Sequence, residues 1–216
     1  MKNFFQIFET YLMVLVHPFR IHQQFRYHLP IPNHDGHQYR PLTLAESLGV
    51  SWSFALISGL IRIIILNYFL FSFLSMQSEE FPFLQELIQS SSLPSYYFFL
   101  FSGALDVIFF PISTIIITEM WAWIIRKFSE WLNPECPHEE IADQITTHAL
   151  SSNLFNIIPF AGNIIQMFLY FFLLYAGLRS NLGASKSLTW VILLSPLMLT
   201  GMIFSLLALA VFYLFS

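Results

Sequence analysis

Long apolar runs at roughly 48–74, 96–125, 159–178 and 188–214 fill most of this chain, and apart from Arg62 lysine and arginine lie outside them, with none in the connection 75–95. Each run meets or exceeds the about 20 residues that a helix needs to cross the hydrocarbon of a bilayer. A spanning backbone has to satisfy its own polar groups internally, so runs of this length are read as helices. The pattern predicts an all-α polytopic membrane bundle, and the basic residues orient it because they are retained on the cytoplasmic side.

Composition agrees. Only 10% of the residues are charged, against about 25% in soluble domains. The bilayer accounts for the deficit, since a charge at the centre of a span costs about 2.5–3.5 kcal/mol or more. The net charge of −4 hides a sorted distribution: Lys2, Arg20, Arg26 and Arg40 precede the first run, whereas 75–95 holds Glu79, Glu80 and Glu86 and no basic residue. No basic stripe with interleaved aromatics is present, which argues against nucleic-acid binding. A lone cysteine, Cys136, excludes an intramolecular disulfide.

Residues 1–47 are expected to form an N-terminal interfacial helix followed by a polar arm on the cytoplasmic side, and 48–216 the transmembrane domain. Segment 4–16 is apolar, but Gln6 and Glu9 interrupt it and His17-Pro18-Phe19-Arg20 follows it, unlike a cleavable signal. Phe4, Phe8, Tyr11, Leu12 and Leu15 share one helical face. That face lies either in the headgroup region or against the bundle. Pro18, Pro30, Pro32 and Pro41 predict an irregular arm over 17–45, with Thr43 or Ser47 capping the helix that follows. Segment 75–95 reads as an outside loop, and Pro111 as a kink in the second run.

The count of crossings turns on 141–158, which carries Thr146, Thr147, His148, Ser151, Ser152 and Asn153. Hydropathy alone makes it a surface helix. With the N-terminus inside, four spans would deliver Arg179 and Lys186 to the outside; a fifth span over 141–158 returns them to the inside. Five spans, at about 48–74, 96–125, 141–158, 159–178 and 188–214, obey the rule on every connection, and a surface or re-entrant helix is the alternative. Such a polar span belongs in the centre of the bundle, where small and hydroxyl side chains pack and bond between helices.

The intramembrane polar residues are the candidate sites. Arg62 and Asp106 fall at similar depth and are expected to pair, either to fix helix register or to line an ion path. Glu119, His148 and Asn153 are the second group, read as polar packing or as a cation- or proton-binding site. His17, His22, His28, His34 and His37 crowd the polar arm, and His34-Asp35-Gly36-His37 with Cys136 and His138 carries ligand types for a metal without a regular tetrahedral set. Metalloprotease, nucleophile-elbow and phosphate-loop motifs are all missing, so no enzyme and no cofactor are expected.

The polar third segment Ala149-Leu150-Ser151-Ser152-Asn153-Leu154-Phe155 runs into Ile157-Ile158-Pro159-Phe160-Ala161-Gly162, and the fourth run ends in Leu174-Tyr175-Ala176-Gly177-Leu178-Arg179. With the proline-bearing N-terminal stretch and the final run broken by Pro196, this order resembles the Yip1 family of five-span proteins in its prokaryotic form. The resemblance implies a non-enzymatic protein of a bacterial inner membrane, N-terminus cytoplasmic and C-terminus outside. It would act through lipids, other membrane proteins or self-association. Eukaryotic members bind Rab-type small GTPases, but the Asp-Leu-x-Gly-Pro-like element of those members is missing here, which places GTPase binding in doubt. The alternative is a small transporter or channel component that uses the intramembrane polar residues.

Overall fold

The computed structural model describes residues 2–27, 40–77, 82–132, 137–159 and 161–215, and no strand occurs among them. The helices are α1 (Lys2–Val16), α2 (Pro18–Tyr27), α3 (Leu44–Gln77), α4 (Pro82–Leu132), α5 (His138–Ala149), α6 (Gly162–Ser180) and α7 (Lys186–Phe215). A 3-10 helix over Leu150–Ile157 continues α5. Among the described residues three helices contain stretches long and apolar enough to cross a membrane: Leu44–Ile65 in α3, Phe101–Leu132 in α4 and Lys186–Leu207 in α7. Their outer faces expose Leu60, Ile64, Ile108, Ile116, Leu197 and Met198. An apolar surface of this extent belongs in lipid, so the protein is membrane-embedded.

Of the arm expected to be irregular, residues 18–27 are helical, while 28–39, with Pro30 and Pro32, lie outside the described residues. Pro18 occupies the first position of α2, where a missing amide hydrogen costs no helical bond. The chain stays helical across the junction, with His17 N donating to Met13 O (2.8 Å) and Ile21 N to His17 O (3.0 Å). The α1 face carrying Tyr11 and Val14 is fully buried against the bundle, with Tyr11 packed among Leu42, Val50 and Phe54. Of the two expected caps for α3, Thr43 is the one used. Its amide donates to Glu46 Oε2 (3.0 Å) and its Oγ1 accepts from Glu46 N (3.3 Å), a reciprocal capping box.

Helix α4 is longer than the second apolar run. Residues 82–95, expected as loop, are helical, and the helix continues through Pro94 and Pro111. Pro82 suits the first helical position, and Leu84, Gln85, Glu86 and Leu87 after it are good helix formers, so local propensity favours a helix there.

The segment 141–157 sits at the heart of the structure. Residues 141, 142 and 144–153 are all buried, and only Asp143 among them is exposed. Eight residues of 3-10 helix are unusual, since runs beyond about four residues are uncommon. A tight turn then reverses the chain, with Ile158 N donating to Phe155 O (3.0 Å) and Gly162 N to Ile158 O (3.0 Å). Gly162 is obligatory there, because a Cβ would collide with the Phe155 carbonyl oxygen. On the return, Gly177 lets α6 press onto α5, where an added Cβ would lie 2.7 Å from Ile145 Cγ2.

These contacts gather basic residues at one end of the bundle. Asn181 Nδ2 donates to Gln144 Oε1 (2.9 Å), which sets the end of α6 level with the start of α5. Arg126, near the end of α4, lies 3.9 Å from Asp143 and 4.0 Å from Glu139. Arg179 Nη1 donates to Ala184 O (2.6 Å), and the Arg26 guanidinium of α2 lies against Gly183, whose φ is +74°.

Candidate functional site

A cleft of about 1240 Å³ opens between α3, α4, the 3-10 helix and α6. Its position follows from one close contact. Gly59 on α3 and Val107 on α4 touch so tightly that a Cβ at Gly59 would lie 2.8 Å from Val107 Cγ2. Arg62 follows Gly59 by one helical turn and Asp106 adjoins Val107. Both charges therefore stand beside this contact, within about one turn (~5.4 Å) of a common level. Both are exposed to the cleft that they line.

The expected Arg62–Asp106 ion pair is not among the salt bridges of the described residues. Arg62 Nη2 instead donates to Asn163 Oδ1 (2.9 Å) in the first turn of α6. The two charges line one cleft without a direct ion pair between them.

An amide network forms the opposite wall. Asn153 Oδ1 accepts from Gln166 Nε2 (3.1 Å) and, more weakly, from Asn156 Nδ2 (3.4 Å), and Ser58 Oγ donates to the Asn156 carbonyl (2.6 Å). Below this polar end the cleft is walled by Phe110, Ile117 and Trp121 of α4 and by Met167 and Phe171 of α6. Tyr170 also lines it, its hydroxyl buried without a hydrogen-bond partner.

The second candidate group is dispersed. Asn153 belongs to the cleft, Glu119 lies on an exposed part of α4 outside it, and His148 faces the N-terminal helices. The His148 ring stacks on Phe25 (centroids 5.0 Å) and meets His22 edge-on (5.3 Å), while its Nε2 accepts from Leu42 N (3.3 Å). His22 is fully buried and neither ring nitrogen has a partner; desolvation lowers its pKa to about 4. Among the described residues no group of three or more His, Cys, Asp or Glu is arranged to hold a metal. His28, His34, Asp35, His37 and Cys136 lie outside the described residues.

Asn156, Asn163, Gln166 and Ser58 were not singled out from the sequence. The available signal was spacing: Asn153 and Asn156, and Asn163 and Gln166, are each three apart, which stacks side chains on one face of a 3-10 helix and nearly so on an α-helix. No protein-family model matches this chain, and neither a curated protein nor a solved structure matches it.

Proposed function

We propose that this chain is a five-crossing membrane protein of Yip1 type, N-terminus cytoplasmic and C-terminus outside, in a bacterial inner membrane. It works without catalysis, by engaging other membrane components from the side. The observation that carries the reading is the cleft: a charged and amide-lined recess set into helices whose other faces are apolar. Such a recess is expensive to leave empty in lipid and suits a partner that brings polar groups of its own.

Lengths and charges support five crossings. α5 and the 3-10 helix together rise about 34 Å and α6 about 28 Å, close to the ~30 Å hydrocarbon thickness. The ends carrying Arg26, Arg126 and Arg179 lie together, as a shared cytoplasmic face requires. Binding of a Rab-type GTPase is not part of the proposal.

A transporter is the second reading, favoured by the shared exposure of Arg62 and Asp106 in one cleft. Reconstitution separates the two. A photo-crosslinker placed at Ile63 on the cleft should yield discrete adducts in native membranes, while the same group at Leu197 on the lipid-facing side of α7 should not. Solute or ion flux in proteoliposomes that Asp106→Asn abolishes would overturn the binding reading.

A further inference from the structure

Resting on the lateral-binding reading, we infer that the cleft is a phospholipid site selective for a headgroup with a primary ammonium beside its phosphate, of the phosphatidylethanolamine class. Two opposite charges line one recess at nearly one level without pairing. A cation and an anion held apart in a low-dielectric wall are complementary to a zwitterion whose own charges are separated by a short linker. The Arg62 guanidinium is oriented by Asn163 and takes the phosphate through charge-assisted hydrogen bonds. The Asp106 carboxylate accepts from the ammonium, which a trimethylated choline cannot offer because it has no N–H. Ser58, Ser102 and the amides of Asn153 and Asn156 border the same end.

The rest of the cleft fits the tail. From Asp106 to Trp121 the α4 wall runs fifteen residues, about 22 Å. Along it Val107, Phe110, Ile117 and Trp121 face the slot, with Met167 and Phe171 opposite; Ser113, Thr114 and Tyr170 are the polar side chains on this stretch. A charged head at one end and a mainly apolar trough beneath it describe an amphiphile rather than a free ion or a water-soluble solute. Inorganic phosphate would satisfy Arg62 alone and leave Asp106 and the trough unmatched.

Native mass spectrometry of the detergent-purified full chain tests this, with added phosphatidylethanolamine, phosphatidylcholine or phosphatidylglycerol, and with inorganic phosphate as the free-anion control. The expected result is one tightly retained phosphatidylethanolamine, favoured about tenfold or more over the other two lipids. Asp106→Asn should remove the preference for ethanolamine over choline while keeping some phospholipid, and Arg62→Gln should weaken all three. Equal retention of the three lipids, preference for the anionic one, or binding of phosphate alone overturns the inference. Leu197→Gln serves as a control on an exposed face and should not change retention. Cross-linking to a discrete protein partner from the cleft, without lipid selectivity, would defeat this inference and leave the lateral-binding reading standing.

Discussion

Arg62 Nη2 donates to Asn163 Oδ1 at 2.9 Å, tying the middle of α3 to the first turn of α6. The bond fixes the depth of the 158–162 turn relative to a long apolar helix, and so makes the position of that turn the pivot of the topology. It also holds the guanidinium on the cleft wall. Loss of the amide in Asn163→Leu should release it and reduce lipid retention toward the level of Arg62→Gln, with little change in thermal stability; unchanged retention would show that Asn163 does not position the charge.

The turn itself depends on Gly162. A methyl group there would strike a backbone carbonyl, which cannot swing aside as a side chain can. Gly162→Ala should lower stability by about 1–3 kcal/mol, read as a drop in thermal midpoint in detergent. Gly49→Ala, inside α3 and with an added methyl that would meet nothing within 4 Å, is the control and should leave stability unchanged or raise it by up to about 1 kcal/mol. Equal midpoints for the two variants would contradict the packing described for the turn.

Tyr11 secures α1 to the centre of the bundle. Its hydroxyl donates to Leu150 O (2.6 Å) and lies 3.0 Å from Ser51 Oγ, which also reaches that carbonyl (3.3 Å). Tyr11→Phe should cost about 1 kcal/mol, because Ser51 still satisfies the carbonyl. The double variant with Ser51→Ala should lose more than the sum of the two single changes, since the buried carbonyl is then left without either donor. Strict additivity in thermal melts would show that the three groups do not act together.

Burial of neutral His22 gives a pH dependence with a definite sign. Its pKa is about 4 in the folded protein against an ordinary value of about 6.5, so the unfolded chain takes up the proton first. Its contribution is therefore intact above about pH 6.5, falls as the pH drops toward 4, and levels off below. The loss over that window is up to roughly 3 kcal/mol. Thermal melts from pH 7.5 to 4.5 should show a steeper decline for the native chain than for His22→Phe. Parallel declines would exclude His22 as the source, and His148 beside it would then be the residue to replace.

Much of this architecture was legible in the sequence because lipid imposes few solutions. Apolar length marked the long helices, and the placement of Arg126, Lys127, Arg179 and Lys186 drew attention to 141–158, whose burial fits an interior position. What escaped reflects contacts between segments distant in the chain. Pro18 reads as a breaker until its position at the start of α2 is known. His22 and His148 reveal no kinship until α2 folds onto α5. Pairing of Arg62 with Asp106 was inferred from charge alone, and Asn163 was overlooked because its three-residue spacing from Gln166 carries little signal inside an apolar run. The 3-10 form of Leu150–Ile157 has no sequence mark that separates it from an α-helix.

The central claim is that α5 with its 3-10 continuation, and then α6, each cross the bilayer. Arg179 and Lys186 alone cannot test it, because a hairpin entering and leaving on the cytoplasmic side would also keep them inside. The turn does test it. In a Cys136→Ser background, Ala161→Cys places a thiol on the exposed turn residue next to Gly162. Membrane-impermeant maleimide added to intact cells should label it from outside, whereas Ser185→Cys should be labelled only after the cytoplasmic side is opened. An Ala161→Cys thiol that reacts from neither aqueous side, or only from the inside, would contradict five crossings and leave the 138–180 hairpin re-entrant.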